Sequence, residues 1–126
     1  MPVTASRKLL LVIEDNSIDR EWFNLVLRRA GYEVAVAGHG EQALDYLLAG
    51  MAPDLILLDM LLPVLDGWHL LELLKKEERL QGITILVTSA ASTITREWAA
   101  AHGCAGILRK PIDEESLLSE TRRCLG

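Results

Sequence analysis

The chain is poor in most of what marks a secreted, membrane-spanning or nucleic-acid-binding protein. Its 126 residues include only two cysteines, Cys104 and Cys124. They form no CxxC pair and have no histidine at metal-ligand spacing, so they read as buried or half-buried free thiols of a cytoplasmic protein. Long apolar runs are missing. The strongest, residues 9–13 and 55–58, fall far short of the ~20 residues a spanning helix needs. The run after Arg7-Lys8 stops at Glu14-Asp15, short of the roughly 7–15 residues of a signal-peptide core. Positive charge is also scarce. Thirteen Lys and Arg against 18 Asp and Glu leave a net charge of −5, and without a basic patch nucleic acid is not expected as a direct partner. There is no low-complexity tract, linker, charged tail or internal repeat. Apolar residues are plentiful: half the chain is hydrophobic and the mean hydropathy is +0.21, enough to bury a core. The length suits one domain. Residues 1–6 are expected to be a disordered lead-in and residues 7–126 a single domain with no output domain attached.

Two kinds of segment alternate along this domain. Residues 8–13 (KLLLVI), 32–37 (YEVAVA), 54–58 (DLILL), 83–87 (ITILV) and 106–108 (GIL) have strand length, and most are apolar on both faces, as a buried parallel sheet requires. Between them lie helical patterns. Ile18, Trp22, Leu25, Val26 and Arg29 mark the first, closed by Gly31. Ala43, Leu44, Leu47 and Leu48 mark the second, ended by Gly50 and Pro53. Leu70, Leu71 and Leu74 mark the third, ending near Gly82. Ile94, Trp98 and Ala101 mark the fourth, closed by Gly103. Leu117, Leu118, Thr121 and Leu125 mark the fifth, with Asp113 as its N-cap. Five strand–helix units of about 25 residues each predict an α/β fold with right-handed crossovers.

Open parallel sheets place their sites at the carboxyl ends of the strands. There the chain carries Glu14-Asp15 after the first strand, Asp59 after the third, Thr88-Ser89 after the fourth and Lys110-Pro111 after the fifth. Three clustered carboxylates repel one another, and a divalent cation removes the conflict. Mg²⁺ accepts a few carboxylates and leaves coordination positions for phosphate oxygens. Asp59 would then be a carboxylate nucleophile toward a phosphoryl group. Lys110 would supply a second positive charge and Thr88 a hydroxyl, the positioning and neutralisation that phosphoryl transfer depends on.

LLLVIEDN, DLILLDMLLPVLDG, ILVTSA and GILRKP, in this order, resemble the motifs of response-regulator receiver domains, of the single-domain, chemotaxis-regulator-like kind. The resemblance runs over essentially the whole chain. It implies a flavodoxin-like, doubly wound (βα)5 fold whose five-stranded parallel sheet has the order 2-1-3-4-5. It implies Asp59 as phosphoacceptor, and Mg²⁺ held by Glu14, Asp15, Asp59 and the backbone carbonyl of Leu61, with Asp15 the more direct of the acidic pair. Thr88 and Lys110 correspond to the residues that contact the phosphoryl group, and Lys110-Pro111 to a peptide that is usually cis. Pro63 and Asp66-Gly67 match the turn after the third strand. The implied partners are a sensor histidine kinase or a histidine phosphotransfer protein. The output is a downstream protein target, or self-dimerisation, through the face made by the fourth helix, fifth strand and fifth helix. A cytoplasmic location is implied as well.

Plainer readings stand beside these. Glu14-Asp15 alone is a strand-ending turn in which Asp15 or Asn16 caps a helix, and Ser89 is an alternative to Thr88 as the working hydroxyl. His39, His69 and His102 form no set, and Trp22, Trp68 and Trp98 read as helix packing, with Trp98 a candidate interface residue. Two departures from the family pattern carry expectations. Ile107 stands where a switching aromatic is common, leaving Thr88 as the hydroxyl half of the switch. Leu61 and Ala90, each two residues past a site residue, are apolar and cannot orient a hydrolytic water, so slow dephosphorylation is expected. A haloacid-dehalogenase-type phosphatase would need an acid where Leu61 stands. A flavodoxin-like FMN carrier would need a hydroxyl- and glycine-rich loop where Glu14-Asp15 stand. A degenerate receiver would lack part of the set.

Overall fold

A computed structural model describes residues 7–60 and 67–126. Leu61, Pro63 and Asp66 lie outside the described residues. The strands are β1 (Leu9–Ile13), β2 (Glu33–Ala37), β3 (Leu55–Asp59), β4 (Thr84–Ser89) and β5 (Gly106–Arg109). The helices are α1 (Ser17–Arg29), α2 (Gly40–Leu48), α3 (Gly67–Lys76), α4 (Arg96–Ala101) and α5 (Glu114–Leu125), with a 3₁₀ turn at Glu78–Leu80. All strand pairings are parallel, and the sheet order is β2-β1-β3-β4-β5, as expected.

Alternation along the strands sorts the core into two layers. Leu10, Val12, Leu55, Leu57, Leu86 and Leu108 pack with Phe23, Val26 and Leu27 of α1 and Leu117 of α5. Leu11, Ile13, Ile56, Leu58, Val87 and Ile107 pack with α2, α3 and α4, through residues such as Ala43, Leu47, Leu70 and Ala99. A three-layer sandwich results, with hydrophobic side chains buried on both sheet faces.

Helix starts obey their caps. The side chains of Asn16, His39, Thr95 and Asp113 accept from the backbone N–H groups of Asp19, Gln42, Trp98 and Ser116. Each satisfies a donor the helix itself leaves unpaired. Gly31 lies just past α1 at φ +102°, a left-handed conformation that suits glycine beyond a helix end. Gly67 opens α3 for a different reason: a Cβ there would lie 2.8 Å from the Met60 Cα, so α3 can begin this close to the end of β3 only on glycine.

Several sequence expectations need correction. In α1 the buried stripe is Phe23, Val26 and Leu27, whereas Ile18 and Leu25 are 78% and 50% exposed. Both stripes have helical spacing, and spacing alone does not say which one faces the sheet. Ile94 is buried but precedes α4, in the turn after β4. α3 stops at Lys76, before the 3₁₀ turn, rather than near Gly82. Both cysteines are free, Cys104 buried and Cys124 half-buried. On the outer surface Trp68 of α3 packs edge-on to Trp98 of α4, with ring centroids 4.7 Å apart. Trp98 stacks on His102 at 4.2 Å, and His102 Nδ1 donates to the Trp98 carbonyl at 2.8 Å.

Candidate functional site

The strand register assembles the site. Asp59 and Thr88 end their apolar runs and lie opposite each other in the β3–β4 ladder. Glu14 comes directly after β1, and Lys110 directly after β5. Counting by twos from the α1/α5 layer, Val12 leads to Glu14, Leu57 to Asp59, Leu86 to Thr88 and Leu108 to Lys110. All four therefore emerge on one face at the carboxyl edge. Ser89 has the opposite parity, and its Oγ accepts from the Ala91 N–H at 3.0 Å. Thr88 is thus the hydroxyl that shares a face with Asp59. Ile107, on the other side of the sheet, is buried in the α2/α3/α4 layer.

Lys110 Nζ donates to Glu14 Oε1 at 2.6 Å and to Asp59 Oδ2 at 3.2 Å. Glu14 and Asp59 are only 1% and 4% exposed, while Asp15 faces solvent. One carboxylate oxygen from each of Glu14, Asp15 and Asp59 falls within a cluster 4.8 Å across. The Lys110-Pro111 peptide is cis, and the Lys110 N–H donates to the Ser89 carbonyl at 3.0 Å. Sequence reasoning passed over Arg20, whose Nη1 donates to the Glu14 and Asp15 carbonyls at 2.9 and 3.3 Å. A helical side chain leans toward its helix N-terminus. An arginine in the first turn after a cap was therefore a readable sign of support for the preceding loop.

The charges of the cluster do not balance: three carboxylates gather around one ammonium, that of Lys110, which bonds two of them. Burial pushes Glu14 up to about 7, with the Asp59 charge adding to the rise and the Lys110 and Asn16 hydrogen bonds opposing it. Burial works to lower the Lys110 ammonium, but its contacts with Glu14 and Asp59 outweigh burial and hold it above the ordinary lysine value. An all-oxygen cluster with surplus negative charge fits a hard divalent cation such as Mg²⁺.

A family model described as "Response regulator receiver domain" matches residues 10–122. The chain belongs to the response-regulator receiver family. This receiver is 32% identical over 120 residues to the polar-differentiation response regulator DivK of Brucella ovis, covering 94% of this chain and 97% of that one. It is 34% identical to the alkaline phosphatase synthesis transcriptional regulatory protein SphR of Synechococcus elongatus, covering 98% of this chain but only 51% of that longer protein. Among solved structures, the chemotaxis response regulator CheY4 of Vibrio cholerae superposes with a TM-score of 0.85 at 26% identity, over 94% of this chain and 99% of that one. The receiver is accordingly a domain of two-component signalling, a family that works with histidine kinases and downstream targets. No helix among its described residues is long and apolar enough to cross a membrane.

The raised Glu14 value sets a pH dependence for the metal-free receiver. Below about pH 4.5 Glu14 is protonated in folded and unfolded chains alike and contributes no slope. Between about 4.5 and 7 the unfolded chain releases this proton and the folded receiver keeps it. Stability from this group therefore falls as pH rises through that window and levels off above it. Thermal unfolding in EDTA should show this decline, Glu14→Gln should flatten it, and Mg²⁺ should offset it at pH 8.

Proposed function

We propose that the receiver takes a phosphoryl group onto Asp59 from a phosphohistidine, presented by a sensor histidine kinase or a histidine phosphotransfer protein. The observation that carries this reading is the set of three carboxylates clustered within 4.8 Å while one lysine bonds two of them. An Asp59 oxygen attacks the phosphorus in line. The P–N bond breaks, and the imidazole leaves with the electron pair. Lys110, already 3.2 Å from Asp59, neutralises charge on the transferring group. Thr88, beside Asp59 in the ladder, offers its hydroxyl to the phosphoryl oxygens. Glu14, Asp15 and Asp59, with the Leu61 carbonyl that the family resemblance implies, would hold Mg²⁺, which would supply further charge neutralisation. The groove lined by Asp19, Trp22, Phe23, Lys110 and Pro111 opens beside the site and offers the donor a seat.

The phosphoryl group then draws in Thr88 and Lys110 and shifts a two-state equilibrium. The α4-β5-α5 face is the output surface, for a downstream target or a second copy. Because Ile107 is aliphatic, the shift is transmitted without an aromatic rotor. The receiver acts as a cytoplasmic signalling phosphoacceptor that catalyses its own phosphorylation and dephosphorylation.

Incubation with acetyl phosphate and Mg²⁺, read by intact mass, tests the proposal. A gain of one phosphoryl group that EDTA prevents supports it. No gain, even with a cognate kinase, favours a receiver that acts by binding alone. With Ala90 and Leu61 both apolar, the phosphorylated form should decay slowly. A Leu61→Asn, Ala90→Glu double variant should decay faster, and equal decay rates would sink that expectation.

A further inference from the structure

Arg109 ends β5 next to Lys110 but points away from the carboxylate cluster, into the turn between β4 and α4. Its Nη1 donates to the Ala91 carbonyl at 2.5 Å, and its Nη2 to the Ile94 carbonyl at 2.6 Å. These two carbonyls bound the turn. The Ile94 N–H closes it onto the Ala91 carbonyl at 3.3 Å, and the Ala91 N–H is tied back to Ser89 Oγ. Between them Ser92 and Thr93 are exposed. The rigid fork of a guanidinium spans two carbonyls at once, which a lysine ammonium does not reproduce.

We infer that Arg109 is a latch that holds the β4–α4 turn in the resting position. The inference rests on the reading of Asp59 as phosphoacceptor. Thr88 lies three residues before Ala91, and β4 and β5 are in register through Ser89 and Arg109. Drawing the Thr88 hydroxyl toward a phosphoryl group on Asp59 moves the end of β4, and Ala91 and Ile94 move with it along the chain. Arg109 is fixed to β5 and to the peptide of Lys110, so it loses the carbonyls it grips. Bonds made in only one of two states weight the equilibrium toward that state. They also lower the apparent affinity of anything that needs the other state. Arg109 is therefore a positioning residue that sets how readily this receiver switches.

Two variants, Arg109→Met and Arg109→Lys, test this against beryllium fluoride with Mg²⁺, used as a phosphoryl mimic. In the resting, metal-free protein the latch predicts faster amide exchange in residues 91–96 of both variants, with thermal unfolding near that of the wild type. It further predicts that Arg109→Met binds beryllium fluoride about three- to tenfold more tightly, roughly the weight of one charge-assisted hydrogen bond partly screened by solvent. Arg109→Lys should fall between. A purely structural role would leave affinity unchanged or weaken it. If the wild type binds the mimic and Arg109→Met binds it no more tightly, the latch is overturned and the phosphoacceptor reading stands. If the wild type does not bind the mimic, the phosphoacceptor reading fails and the latch with it.

Discussion

Asp59→Asn is expected to abolish phosphoryl uptake from acetyl phosphate while making the metal-free protein more stable at pH 8. The two effects have one cause. Asp59 and Glu14 are both buried and share the Lys110 ammonium, which lies closer to Glu14. A carboxamide at residue 59 removes a buried negative charge and the nucleophilic oxygen together, while Lys110 keeps its 2.6 Å contact with Glu14. Removing like-charge repulsion in a poorly solvated site should stabilise the fold by about 1–2 kcal/mol. Because the Asp59 charge helps hold Glu14 up, the fall of stability with pH should end at lower pH and be smaller in this variant. Mg²⁺ should then add less stability than it does to the wild type. Intact mass reads the first effect and thermal unfolding in EDTA the second. A phosphoryl group still gained by Asp59→Asn would place the acceptor elsewhere.

Lys110→Met is expected to do the reverse to stability. It removes the ammonium that bonds two buried carboxylates and leaves them facing each other. Loss of one partner from a buried ion pair costs about 3–5 kcal/mol. Lys110 retains 22% side-chain exposure, so about 2–3 kcal/mol is expected after solvent screening. The cost should be largest above pH 7, where Glu14 ionises, and Mg²⁺ should recover most of it. Phosphoryl uptake should not recover, because a metal held among the carboxylates does not replace a charge placed across from them. A fall in uptake of about 10²–10³-fold is expected, comparable to removing one preorganised donor from a transition state. Uptake unchanged at saturating Mg²⁺ would reduce Lys110 to a structural counter-ion.

The sequence made these residues visible because each ends an apolar strand. Runs such as LLLVI and LILL identify buried parallel strands, and the residues just past such strands share one rim. Strand ends were less legible. Asp59, Thr88 and Ser89 read as lying past their strands, yet they continue the ladders, because backbone pairing does not stop where side chains turn polar. The choice of Thr88 over Ser89 needed the register, since only alternation counted from Leu86 puts Thr88 on the face of Asp59. The face of α1 was misread for a related reason: Ile18 and Leu25 keep helical spacing, and only the sheet's position selects Phe23 and Leu27 instead. Arg109 was hidden differently. It stands in GILRKP, a motif whose chemistry is concentrated in the neighbouring lysine, and its carbonyl partners lie in a turn that has no pattern of its own.

The ring stack joining α3 to α4 has an optical consequence. Trp68 and Trp98 are two of the chain's three tryptophans. Each lies against the other and against His102, in a T-shaped and stacked arrangement that is sensitive to small displacements. Indole emission depends on whatever touches the ring, so the spacing of these two helices is written into the native fluorescence of the protein. The remaining indole, Trp22, packs on Phe23 in the opposite layer and lines the groove beside Lys110, so it reports on that groove instead. Any rearrangement that carries α4 relative to α3 is thus reported by the unlabelled molecule.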